Sequence, residues 1–156
     1  MYRIMIVDDE TVMLNTLKKY IQERLPDCQL IGQYRTAMEA LESFKKEPAD
    51  IVLIDIRMPE MDGLEFIRQL NLLNIHYIPI IISSYGEFSY AKTAMSLGVI
   101  HYLLKPIDFN ELHQALLSAI QKVEQHRINF SPADHQQNPK KLKNSKNTYS
   151  DNRFEL

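Results

Sequence analysis

Four consecutive apolar residues, Ile-Val-Leu-Ile at 51–54, run straight into Asp55 with no polar residue between them. A strand that is apolar at every position must be covered on both faces, and that is the situation of a parallel sheet between two layers of helix. Similar short runs recur at 3–7, 30–34, 78–82 and 101–104. Helical patterns separate them. Leu14, Leu17, Ile21 and Leu25 recur at helical spacing before Pro26. Thr36 and Glu39 form a capping box for a helix to about residue 47, with Ala37, Leu41 and Phe44 inward and Pro48 closing it. Further helices are predicted at 63–73 and 88–97, the latter stopped by Gly98. Asp108 and Glu111 cap a last helix that turns Leu112, Leu116, Ile120 and Val123 toward the core. Five strands alternating with five helices imply right-handed crossovers, hence an α/β, doubly wound five-stranded parallel sheet with helices on both faces.

The same patterning sets the domain limits. Residues 1–127 read as one domain, whereas 128–156 have few apolar groups and no periodicity, the mark of a polar linker or disordered tail. The domain carries 13 Lys and Arg against 17 Asp and Glu, so it offers no general reason to bind DNA directly. No apolar run is long enough for a membrane span, and the amino terminus lacks the features of a secretory signal, which points to the cytoplasm. Cys28 is the single thiol, which excludes an internal disulfide and a cysteine-based zinc cluster. The seven methionines are read as core filler, and His76, His101 and His113, on different elements, as surface or locally hydrogen-bonded groups.

Doubly wound sheets bind ligands beyond the carboxyl ends of their strands. Those ends hold Asp8 and Asp9, Asp55, Ser83 and Lys105. Singly, an Asp at a strand end is more often a cap or turn residue. Together they make a chemical set. Crowded carboxylates raise one another's pKa unless a cation intervenes. Mg²⁺ suits them, being a hard ion that takes oxygen ligands and keeps waters for a phosphate to replace. Lys105 adds a positive charge and Ser83 a hydroxyl for phosphate oxygens, while Asp55 is placed to attack in line.

The motifs Ile-Val-Asp-Asp-Glu (6–10), Asp-Ile-Arg-Met-Pro-Glu-Met-Asp-Gly (55–63), Ile-Ile-Ser-Ser-Tyr (81–85) and Tyr-Leu-Leu-Lys-Pro (102–106) resemble, as a set, the receiver domain of two-component response regulators over residues 1–124. The resemblance implies a flavodoxin-like sheet of order 2-1-3-4-5 and a cis Lys105–Pro106 bond. It makes Asp55 the phosphoacceptor for a partner sensor histidine kinase. Mg²⁺ would be held by Asp8, Asp9, Asp55 and the backbone carbonyl of Arg57, with Lys105 pairing with the phosphoryl group. Ser83 takes the switch hydroxyl position, and Tyr102 that of a switch aromatic that rotates inward from an exposed position. A phosphorylation-favoured homodimer through helix 4, strand 5 and helix 5 is expected. The stretches 83–85 and 88–91 are similar to receivers attached to AraC-type DNA-binding domains. The 29 polar residues after 127 cannot supply such an output, so the chain is either an excised domain or a protein without one.

Two other functions compete. A phosphatase using an aspartyl-phosphate, as in the haloacid-dehalogenase class, needs an acid two residues after its nucleophile, and Arg57 stands there. A nucleotide-binding doubly wound protein needs a Gly-rich phosphate loop, and none is present. The expected role is therefore a phosphoacceptor switch with at most weak autophosphorylation and autodephosphorylation.

Overall fold

The computed structural model describes residues 1–130. The polar tail expected over 128–156 lies, from residue 131 onward, outside the described residues. The elements are β1 (Tyr2–Val7), α1 (Thr11–Arg24), β2 (Cys28–Tyr34), α2 (Ala37–Lys46), β3 (Ile51–Ile54), α3 (Gly63–Leu72), β4 (Ile78–Ser83), α4 (Phe88–Ser96), β5 (His101–Leu104) and α5 (Phe109–Asn129). All four strand pairings are parallel, and the order is β2-β1-β3-β4-β5. This is the doubly wound, flavodoxin-like arrangement expected. The chain divides into a unit of Met1–Val123 and a second unit from Glu124. In the second, the His126 ring lies 4.6 Å from that of Phe130, and α5 runs two residues past the predicted boundary at 127.

Alternation along each strand builds two cores. Met5, Val7, Val52, Ile54 and Ile81 point to one face, where they pack with Phe44 of α2 and Phe66 and Ile67 of α3. Ile4, Ile6, Ile51, Leu53, Ile80 and Ile82 point to the other, against Leu14, Leu17 and Ile21 of α1 and Leu112 and Leu116 of α5. With side chains of period two on a sheet covered twice, every residue of β3 is buried. The methionines depart from expectation: Met5 and Met58 are core, but Met1, Met38 and Met95 are exposed. Among the described residues no helix is long and apolar enough to cross a membrane.

Local signals set the element ends. The Thr36 hydroxyl accepts from the Glu39 N–H at 3.3 Å, opening α2. Asp62 caps α3 by accepting from the Glu65 N–H at 2.8 Å, and Asp108 accepts from the N–H groups of Asn110 and Glu111 at the start of α5. Each cap satisfies a donor that the first helical turn leaves unpaired.

Candidate functional site

Parallel pairing brings the carboxyl ends of the strands to one edge, and the hydrogen-bond ladder continues past them. The Asp8 N–H donates to the Tyr34 carbonyl at 3.0 Å, the Asp55 N–H to the Val7 carbonyl at 2.9 Å and the Lys105 N–H to the Ser83 carbonyl at 2.9 Å. Asp8, Asp55, Ser83 and Lys105 are thus fixed by backbone bonds before their side chains are considered.

The side chains of Asp8, Asp55 and Lys105 converge. The Lys105 ammonium donates to Asp8 Oδ2 at 2.9 Å, to Glu10 Oε1 at 3.2 Å and to Asp55 Oδ2 at 3.5 Å. Asp8 and Asp55 are buried, Asp9 is half-buried and Glu10 is exposed. Each of these four acids places a carboxylate oxygen in one group whose members all lie within 4.8 Å of one another. The sequence reading placed three of these acids at the site and missed Glu10, although it directly follows Asp8 and Asp9.

Burial and crowding leave an electrostatic signature. Burial, then repulsion from Asp8, push the Asp55 carboxyl up to about 6, and Lys105 only partly offsets them. Burial also raises Asp8, against the opposing effects of the Glu10 N–H and Lys105. For Lys105, burial acts to lower the pKa, but the bond to Asp8 and the charges of Asp55 and Asp8 outweigh it and hold it above its ordinary value. Carboxylates that resist ionisation together, and offer only hard oxygen donors, fit a small divalent cation such as Mg²⁺.

Ser83 is fully buried, and its hydroxyl accepts from the Tyr85 N–H at 3.1 Å. Tyr102 is half-buried, and its hydroxyl donates to the Tyr85 carbonyl. The expectation of an outward Tyr102 is therefore corrected: the ring already lies against the core of the α2–α4 face, held there by that bond. Arg57, just past Asp55, carries its guanidinium 4.1 Å over the Tyr85 ring and donates to the Tyr90 hydroxyl at 3.0 Å. The Lys105–Pro106 bond is cis. Of the histidines, His113 pairs through Nδ1 with the Tyr20 hydroxyl at 2.8 Å on the α1–α5 side, and His101 lies on β5.

Gly63 closes the site from below. Its N–H donates to the Ile56 carbonyl at 2.6 Å, and a Cβ there would collide with the Asp55 carbonyl oxygen. The Asp-Gly at 62–63 therefore both caps α3 and lets its first turn press against the backbone of Asp55.

Comparison with known proteins agrees with this architecture. The transcriptional regulatory protein YesN of Bacillus subtilis is 34% identical over 135 residues, which are 86% of this chain and 37% of YesN. The receiver domain of AraT, a response regulator from Geobacillus stearothermophilus, superposes with a TM-score of 0.70 at 30% identity, covering 81% of this chain and 98% of that one. A chain of the CheX–CheY–BeF₃–Mg²⁺ complex from Borrelia burgdorferi superposes with a TM-score of 0.71 at 25% identity, covering 76% of this chain and 89% of that one. This chain spans about half the length, or less, of the curated relatives it matches first. The family model for the response regulator receiver domain matches residues 4–117, so the strand ends that gather Asp8, Asp55 and Lys105 belong to a member of the response regulator receiver family.

Proposed function

We propose that Asp55 accepts a phosphoryl group from the phosphohistidine of a sensor histidine kinase and that the receiver then switches conformation to control transcription. The observation that carries this reading is the buried Asp55 carboxyl held within reach of Lys105 among three further carboxylates. In the transfer, an Asp55 oxygen forms a bond to phosphorus as the phosphorus–nitrogen bond to the donor histidine breaks. Asp8, Asp9, Asp55 and the backbone carbonyl of Arg57 would hold Mg²⁺, which supplies charge neutralisation for the phosphoryl oxygens. Lys105 turns from the carboxylates to a phosphoryl oxygen, and the Ser83 hydroxyl, which accepts from the Tyr85 N–H, moves to donate to another. The chain acts as a switch in the cytoplasm. Control of transcription would pass through an attached or lost DNA-binding domain, since this chain itself is not expected to contact DNA. Arg57 two residues after Asp55 weighs against a phosphatase of the aspartyl-phosphate type.

Incubation with acetyl phosphate and Mg²⁺ is expected to add one phosphoryl group, labile to base, by intact-mass measurement. Asp9→Asn or chelation of Mg²⁺ should reduce labelling by an order of magnitude or more. Undiminished labelling after chelation would remove the Mg²⁺ assignment.

The readout proposed is a symmetric dimer. Phe88 and Met95 of α4, Ile100, Leu104 of β5 and Leu117 of α5 are large apolar groups left exposed, Phe88 by 81%. Exposed apolar groups on α4 and at the ends of β5 are suited to association. Moving the Ser83 hydroxyl to the phosphoryl group shifts the acceptor of the Tyr85 N–H, in the segment whose carbonyl anchors Tyr102, so the phosphate biases that surface. A hydrogen bond to a charged group is worth about 1.5–3 kcal/mol; the upper part of that range turns a minor state of a few per cent into a majority, but not to saturation without help from Lys105. Sedimentation with and without beryllofluoride, for native protein and Ser83→Ala, is expected to show tightened dimerisation only for native protein with the mimic. Equal monomer–dimer constants in all four samples would remove the mechanism.

A further inference from the structure

We propose that Glu10 is a positioning residue that restrains Lys105, holding its ammonium on the approach side of the acidic cluster and away from the place a phosphoryl group on Asp55 would occupy. The inference deepens the phosphoacceptor reading and rests on it. Its first support is geometric. Lys105 is nearly enclosed, yet one of its three carboxylate partners is the exposed Glu10, at 3.2 Å, closer than Asp55 at 3.5 Å. The ammonium thus divides its donors among three acceptors, and Asp55, whose phosphoryl group it must reach, is the most distant.

The second support is where Glu10 stands. It is the N-cap residue of α1, a position that favours Ser, Thr, Asp or Asn because a short side chain can reach back to the first free N–H groups. Glu10 makes no such bond, and its side chain extends instead to Lys105. The helix gains no hydrogen bond from the glutamate side chain, and Lys105 gains a competing partner. Glu10 also adds a negative charge beside Asp8, Asp9 and Asp55. It should therefore favour a divalent cation while opposing an anionic phosphoryl group. A residue with a merely structural role would not move these two affinities in opposite directions.

The two contributions separate by substitution. Glu10→Ala removes both the charge and the hold on Lys105. Glu10→Asp keeps the charge but shortens the reach by one methylene and turns the carboxylate toward the helix N–H groups it can now cap. Beryllofluoride affinity at saturating Mg²⁺ and Mg²⁺ affinity alone can be followed by tyrosine fluorescence, since the chain has no tryptophan. With an ion pair of this exposure, release of Lys105 should tighten beryllofluoride about two- to fivefold in both variants. Mg²⁺ should bind more weakly to Glu10→Ala and unchanged to Glu10→Asp. If Glu10→Asp binds beryllofluoride like native protein, charge alone acts and the positioning role is overturned. Weakening of both ligands in either variant would likewise overturn it. Failure of native protein to bind the mimic at all would remove the phosphoacceptor reading itself, a result distinct from the other two.

Discussion

Replacing Asp55 by Asn is expected to abolish phosphoryl labelling and, in chelator, to make the protein more stable than the native chain at neutral pH. The first effect follows from loss of the nucleophile, since an amide oxygen is a far poorer one than a carboxylate. The second follows from the cost of burying that carboxylate. Its pKa rises from 3.8 in the unfolded chain to about 6 in the fold, with burial the main cause and Asp8 the next. A carboxyl whose folded pKa is raised favours the native state only while protonated. The penalty is absent below pH 3.8, grows between 3.8 and 6, and is complete above that, at roughly 3 kcal/mol from the size of the shift. Asn carries no such charge, and the bond it weakens, from Lys105 at 3.5 Å, is the longest of the three. Urea unfolding in chelator should therefore show the variant ahead at pH 7.5 and level with native protein near pH 4. Saturating Mg²⁺ should reverse the order, because the native site gains a ligand that the variant has partly lost. A stability difference independent of pH would show that the charge on Asp55 is not the source of the penalty.

Gly63→Ala is expected to be the most damaging single-methyl change at the site. The added carbon would collide with the Asp55 carbonyl oxygen and come within 2.9 Å of Ile54 Cγ2. The first obstacle is backbone and cannot rotate aside. Either α3 retreats, stretching the 2.6 Å bond from the Gly63 N–H to the Ile56 carbonyl, or the phosphoacceptor itself is displaced. Overpacking of this kind costs about 1–3 kcal/mol, which exceeds the fraction of about 1 kcal/mol that Ala contributes over Gly at a helix end. Both the unfolding midpoint and the rate of labelling by acetyl phosphate should fall. Gly98→Ala is the control. Its φ of +94° is unfavourable for Ala, but nothing lies within 4 Å, so it should lose stability and keep its labelling rate. Equal labelling by native protein and Gly63→Ala would show that the close approach of α3 does not position Asp55.

The elements were legible because each is specified by neighbours in the chain. The unbroken apolar run 51–54 has one stable place, a strand covered on both faces, and the structure buries all four residues. His101–Leu104 is a strand as read, and Thr36 and Asp108 cap the helices they precede. Once the strands are parallel, their carboxyl ends must share an edge, so the meeting of Asp8, Asp55, Ser83 and Lys105 followed from order along the chain.

Choices between partners distant in sequence were a different matter. Lys105 lies 95 residues from Glu10 and 50 from Asp55, and no local pattern says which carboxylate its ammonium approaches more closely. Arg57 reaching Tyr90 across 33 residues, and Tyr102 already turned inward to the Tyr85 carbonyl, were equally invisible. So was the exposure of Met38 and Met95, because a residue type records what a side chain tolerates and not what covers it. The alternation of strands and helices, the Thr36 and Asp108 caps and the meeting of Asp8, Asp9 and Asp55 are written in the chain, because periodicity and backbone bonding act over a few residues. The tertiary structure alone decided which charge holds which, because an ion pair depends on distances of an ångström or less between groups that the chain brings together only after it has folded.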